Sequence, residues 1–291
     1  MTHTITAVEA PKSDIGESPW WDGDTQTLYW IDMLGKKVHS LNPSNGNTQS
    51  WNVPTMITGM VMGNPGTAII SLVDGVYTLD LNSGECQLLA TTPDLDETVQ
   101  LADAKSDRRG RFVVGSSHRD MADAIGKLYV LDPGASELRQ IDDDYILGNG
   151  PCWSPDDNTF YHSDSVRNMI YAYDYDIDTG TVSNRREFAS TKQWNGIPDG
   201  ATVDTEGYVW SAICEGGVVV RFNPEGGTDM IIDMPVKCPA SVIFGGPDLD
   251  QLYVPSLSPA FLGREADPLD GTLFVIQDLG IKGIPEVRFP S

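Results

Sequence analysis

Three short segments set an oxygen-bearing side chain beside glycine or proline: Glu17 in IGESPWWD, Asn149 in LGNGPCWSPDD and Asp199 in IPDGATVDTEG. A carboxylate, an amide carbonyl and a second carboxylate make a hard, oxygen-only donor set that leaves positions open for water or substrate. The same residue types also cap turns, so the pattern by itself leaves both readings open. Other catalytic signatures are missing. The sequence has no H-E-x-x-H, no G-x-S-x-G elbow, no G-x-x-x-x-G-K phosphate loop and no Rossmann fingerprint. His3, His39, His118 and His162 fall at no zinc-ligand spacing. Cys152 follows Asn149 closely but has no His or cationic neighbour in sequence to activate it, and reads as packing.

Segments this far apart meet only if the fold gathers them, and a loose internal repeat shows how. Strand pairs rich in Tyr, Trp, Val and Phe begin near Leu28, Ala68, Arg111, Thr159, Tyr208 and Gln251. Their spacing of roughly 40 to 50 residues is the period of one four-stranded propeller blade. Polar glycine-containing turns such as DRRG at 107–110 and DTEG at 204–207 supply the positive φ and side-chain-to-backbone bonds that tight hairpins need. Amphipathic helical periodicity is hard to find. The expectation is an all-β chain, residues 1–291, folded as a single six-bladed β-propeller whose innermost strands carry the three oxygen-bearing residues to the axis, where a central metal site and turn capping both remain open. A β-sandwich is the alternative, but two sheets do not call for six similar units. Ring geometry further suggests that a strand around Ile5 to Val8 closes the ring beside the VRF run at 287–289.

Composition narrows the partners. The formal charge of −23 disfavours nucleic acid and anionic membranes, which need clustered Lys and Arg. It would draw cations to a cleft, although its commoner meaning is solubility. No run of eighteen apolar residues and no basic-then-apolar leader is visible. Cys86, Cys152, Cys214 and Cys238 are scattered, with no C-x-x-C. Reduced thiols in a cytoplasmic protein are therefore expected.

Taken together, GESPWWD at 16–22, LYWIDMLGKKVHSLNPSNG at 28–46, NGPCWSPDDNTFYHSDS at 149–165, IPDGATVDTEGYVWSA at 197–212 and FGGPDLDQLYV at 244–254 resemble the senescence-marker-protein, gluconolactonase and regucalcin family of propeller lactonases. The resemblance runs in order through nearly the whole chain. It implies that Glu17, Asn149 and Asp199 bind one catalytic divalent ion, for which calcium, magnesium, manganese, zinc and ferrous iron all remain open. It also implies a small lactone substrate, with a sugar lactone expected. The family places an Arg and an Asn before the third blade as a clamp on substrate hydroxyls. Here VQLADAKSDRRGR puts Gln100 and Ala102 at those positions, followed by a retained Asp103.

The chemistry this implies is ring-opening hydrolysis of a lactone to a hydroxy acid, with a bound cation polarising the carbonyl. Asp199 is the first candidate for general base, with a ligand-only role as the alternative, and Asp103 is the second. His118, read as part of a long loop SSHRDMADAIGK, is a candidate substrate contact. Trp20, Trp21 and Trp194 lie beside the ligand segments and would either floor a sugar ring or fill the core between blades. Two other functions fit the same scaffold: a metal-dependent esterase or phosphotriesterase, and a non-enzymatic calcium-binding propeller.

Overall fold

The computed structural model describes residues 3–91 and 97–290. They form six four-stranded antiparallel sheets. The inner strands, which define blades 1 to 6 in order, are Gly16–Asp22, Ile57–Met62, Val99–Ser106, Gly148–Trp153, Ile197–Val203 and Ile243–Gly245. Each touches the next, and the sixth touches the first, so the ring is closed. The all-β, six-bladed propeller expected from the repeat is the architecture found.

The second strand of each blade is largely buried, as in Thr27–Asp32 (TLYWID) and Val209–Cys214 (VWSAIC), because both of its faces are covered by neighbouring blades. The outer strands are polar and largely exposed, as in Asn47–Asn52 (NTQSWN). Aromatic rings fill the wedges between blades. Trp20 packs with Met60 and Val61, and Trp21 stacks on Tyr253 with centroids 5.8 Å apart. Both indoles therefore serve the core rather than a substrate floor, while Trp194 lies half-buried against Phe222.

Inner and second strands turn at one end of the ring through the D-x-x-G clusters seen in the sequence. Asp107 Oδ1 accepts from the backbone N–H of Arg109 and Arg111, and Asp204 Oδ1 from those of Glu206 and Tyr208. The glycine of each turn has positive φ, 78° at Gly110 and 85° at Gly207, where a side chain is strained. Asp204 goes further. Its second oxygen accepts from Trp210 Nε1 and Arg221 Nε, both at 2.8 Å, and Arg221 also pairs with Glu206 and Asp229 and lies over the Tyr208 ring.

Ring closure differs from the expected pairing. Thr4–Ala7 pairs with Phe274–Gln277, from Thr4 opposite Gln277 to Ala7 opposite Phe274, and is the outer strand of blade 6. The VRF run does not join a sheet, because Pro285 and Pro290 flank it and remove the donors a ladder needs. It crosses the turn end of the ring instead. Ser106 Oγ donates to the Val287 carbonyl, Phe289 N donates to Met62 O, Glu286 pairs with Lys105 and Arg288 with Asp22. All four cysteines are free thiols, and among the described residues no helix is long and apolar enough to cross a membrane.

Candidate metal centre

Five of the six inner strands break register near their start. The breaks fall between Glu17 and Trp20, Ile57 and Gly59, Leu101 and Ala104, Asn149 and Cys152, and Pro198 and Ala201. A bulge leaves residues out of the ladder and re-aims their side chains. Glu17, Asp103, Asn149 and Asp199 sit at or beside these breaks, and four blades deliver them to one place on the axis.

The contacts are direct. Asn149 Nδ2 donates to Asp199 Oδ1 at 2.8 Å and to Ser165 Oγ at 3.0 Å. Ser165 Oγ in turn donates to the Pro198 carbonyl at 2.6 Å, so blades 4 and 5 are tied twice beside Asp199. Ser18 N–H donates to Glu17 Oε2, and Ser18 Oγ to Asp103 Oδ1 at 2.9 Å. Blades 4 and 5 approach so closely that a Cβ on Gly150, whose φ is 62°, would lie 2.6 Å from the Asp199 carbonyl oxygen. The glycine of GNGP is therefore required by space as well as by backbone angle.

Burial raises the proton affinity of all three acids, and neighbouring charge adds to it at Glu17 and Asp199. Glu17 is held well above the usual carboxylate range by burial first, then by the charges of Asp199 and Asp103. Asp199 is likewise held well above its range by burial and then by Asp103, and it shares a hydrogen bond with Glu17. Burial also raises Asp103, opposed by Ser18, Lys105 and the backbone donors of Gly150 and Ala104. A cation among these oxygens would relieve the repulsion that now falls on protonation.

The donor set fits a hard ion. Among the described residues no group of three or more His, Cys, Asp and Glu side chains could hold a metal. A third oxygen beside Glu17 and Asp199 would be that of Asn149. Its two amide hydrogens are committed to Asp199 and Ser165, which leaves Oδ1 as the atom able to coordinate. Glu17, Asn149 and Asp199 thus present two carboxylates and one amide oxygen, the chemistry that suits calcium, magnesium or manganese best and admits zinc or ferrous iron.

The other sequence candidates all lie on blade 3. Gln100 is half-buried on the inner strand opposite Ser117, and Ala102 is buried one residue from Asp103. His118 is not in a loop: it is the last residue of strand Phe112–His118, opposite Val99, and its Nδ1 accepts from Asp120 N. Cys152 is buried in the core, with its thiol pushed up to about 12 by that burial. Ser18, Gly150 and Ser165 were missed. Each lies inside a quoted segment, but a serine or glycine next to a ligand carries no signal of its own until the bulge geometry is known.

Six blades around an axial cluster of carboxylate and amide oxygens define a propeller with an acidic, oxygen-lined site on its axis. The chain belongs to the SMP-30/Gluconolactonase/LRE-like family, whose model it matches over residues 15–258. It is 34% identical to regucalcin of Gallus gallus, with 98% of each chain covered. It is 33% identical to the 6-deoxy-6-sulfogluconolactonase of Pseudomonas putida, with 99% of each covered. The solved structure of a luciferin-regenerating enzyme superposes with a TM-score of 0.90 at 26% identity, covering 100% of both chains.

Proposed function

We propose that the protein is a metal-dependent hydrolase that opens a small lactone, a sugar lactone in the first instance, to the corresponding hydroxy acid. The observation that carries this reading is the meeting of Glu17, Asn149 and Asp199 from blades 1, 4 and 5. A relative of 33% identity over nearly the full length that is named as a sugar lactonase supports the substrate class.

In this reading Glu17, Asn149 Oδ1 and Asp199 hold one divalent ion, which when bound polarises the lactone carbonyl and stabilises the oxyanion. Asp199 is the base. Its Oδ1 is held by Asn149 Nδ2, and with the hydrogen bond to Glu17 given up to the cation its other oxygen would take a proton from the attacking water. Water adds its hydroxyl to the carbonyl carbon, the ring C–O bond breaks, and the proton held by Asp199 passes to the departing ring oxygen. Asp103 is the poorer base, because both of its oxygens already accept hydrogen bonds. Gln100, Ala102 and His118 would form the blade 3 wall against the substrate.

The test is acid release from a panel of lactones and aryl esters, with the protein stripped by chelator and then supplied with single cations. Metal-dependent opening of lactones in preference to aryl esters is expected. Full activity after exhaustive chelation would remove the metal from the mechanism, and binding of calcium without turnover of any substrate would make the protein a cation-binding propeller.

A further inference from the structure

Asp103 is a third acid in a site already crowded with negative charge, yet the two proposed ligand carboxylates do not need it as a partner. Its hydrogen bonds show what it does. Oδ1 accepts from Ser18 Oγ at 2.9 Å and from Ala104 N at 2.8 Å, and Oδ2 accepts from Gly150 N at 3.1 Å. Ser18 belongs to blade 1 and follows Glu17, whereas Gly150 belongs to blade 4 and follows Asn149. One carboxylate therefore joins the bulges of blades 1, 3 and 4, and each distal bond ends on the residue next to a metal ligand.

Both distal partners hold unusual backbone conformations. Ser18 has φ of 42° and Gly150 φ of 62°, so each bulge is bent into the left-handed region where it meets Asp103. For a serine that conformation costs roughly 1–3 kcal/mol and persists where surrounding structure enforces it. The Gly150 N–H lies outside the strand ladder, and the Asp103 carboxylate is the acceptor it is given. With Asp103 only 8% exposed, bonds from three donors are also what makes a buried carboxylate tolerable.

We infer that Asp103 is a positioning residue whose carboxylate clasps the bulges of blades 1 and 4 and thereby sets the separation between Glu17 and Asn149. The inference deepens the proposed metal site and rests on it for its purpose, but the clasp is a property of the metal-free chain. Residues that orient ligands without touching the ion typically change metal affinity by about 10–100-fold when replaced.

The variants are Asp103→Asn and Ser18→Gly. The first turns an amide donor against either Ser18 or Gly150, and the second removes one bond while keeping the acid and relaxing the backbone. Three quantities are measured on the full-length protein: Gly150 amide exchange by NMR without metal, Mn(II) affinity by titration, and kcat with its pH profile at saturating Mn(II). A clasp predicts that Asp103→Asn speeds Gly150 exchange and weakens Mn(II) binding by about tenfold or more. It also predicts that Ser18→Gly weakens Mn(II) binding in the same direction, and that neither variant changes the shape of the pH profile. A general base predicts the reverse: unchanged exchange and affinity, a kcat lowered by about 10²–10⁴ in Asp103→Asn alone, and loss of the acidic limb. That result would overturn the inference. If the wild type neither binds Mn(II) nor opens lactones, the proposed function fails while Gly150 exchange alone still decides whether the clasp exists.

Discussion

Asn149 Nδ2 lies 2.8 Å from Asp199 Oδ1, and this bond joins two residues fifty positions apart at the tops of adjacent inner strands. With the bond to Ser165 it leaves the amide oxygen of Asn149 for other work, and it engages one oxygen of an Asp199 carboxylate that also bonds Glu17. An aspartate in place of Asn149 would add a further repelling charge to Glu17, Asp103 and Asp199. An amide is the residue type that brings an oxygen donor to this position and a hydrogen-bond donor to Asp199 at once.

Glu17→Gln, Asn149→Ala and Asp199→Asn should each weaken Mn(II) or Ca(II) binding, since the first and last neutralise a proposed carboxylate ligand and the second removes the proposed amide oxygen. Asp199→Asn should also lower kcat at saturating metal by about 10²–10⁴ through loss of the base, which Asn149→Ala should not match. Circular dichroism should show the same strand content in all three. Wild-type turnover by all three at limiting metal would place the site elsewhere.

The Gln100 and Ala102 wall should read hydroxyl patterns weakly. Gln offers a neutral amide and Ala no hydrogen bond, where an Arg presents a charged fork, and a wall without such groups rejects deoxygenated analogues poorly. The double change Gln100→Arg with Ala102→Asn should move kcat/KM toward six-carbon aldonolactones. Ala102 is buried, so melting should be measured alongside to confirm that the larger side chain is accommodated. An unchanged ratio between gluconolactone and shorter lactones would show that these positions do not set specificity.

The Asp204 cluster should be the most sensitive electrostatic feature of the framework. Asp204→Ala would orphan Trp210 Nε1 and leave Arg221, itself 5% exposed, with only Glu206 and Asp229 at the edge. Breaking a buried pair from one side costs about 3–5 kcal/mol. Urea midpoints should report that loss, and a shift equivalent to less than about 1 kcal/mol, the value of a surface pair, would contradict the assignment.

Stability should fall in acid through His162. This ring is fully buried between Tyr145 and Phe160, and burial lowers its pKa from 6.5 to about 3. A depressed histidine is neutral in the fold but protonated in the unfolded chain below pH 6.5. The unfolded state then binds the extra proton, and stability falls as pH drops from about 6.5 toward 3. The limiting slope is about 1.4 kcal/mol per pH unit. The raised acids Glu17, Asp103 and Asp199 act with opposite sign, so the comparison must be against His162→Gln. Wild type should lose ground to that variant at each step below pH 6, and parallel curves would exclude the histidine as the cause.

The ring of blades was legible because second and third strands carry apolar runs of propeller period, as in TLYWID and VWSAIC. Inner and outer strands were not. GNGP reads as a turn and NTQSWN as a loop, since an inner strand is bent by its bulge and an outer one faces water on one side. Closure through 287–289 is suggested by VRF, which alternates like a strand, but the prolines at 285 and 290 remove the donors a ladder would need. The candidate ligand triad came from residue types and the family resemblance together, for spacing alone could not separate ligands from turn caps. The packing of Cys214 with Cys238 was also hidden, because Cys214 ends the second strand of blade 5 while Cys238 lies in the connection to blade 6, whose path the spacing does not display.

The pairing of Thr4–Ala7 with Phe274–Gln277 governs the order of events during synthesis. The first of the described strands must wait, its edge unpaired, until the last of them has left the ribosome, because that last strand is its partner. Blades 1 to 5 draw their strands from contiguous chain and can assemble as they emerge, whereas blade 6 cannot be completed before both ends are present. Deleting residues 1–7 would therefore strip the sixth blade of its outer strand and leave the edge of Phe274–Gln277 open for a second molecule to occupy.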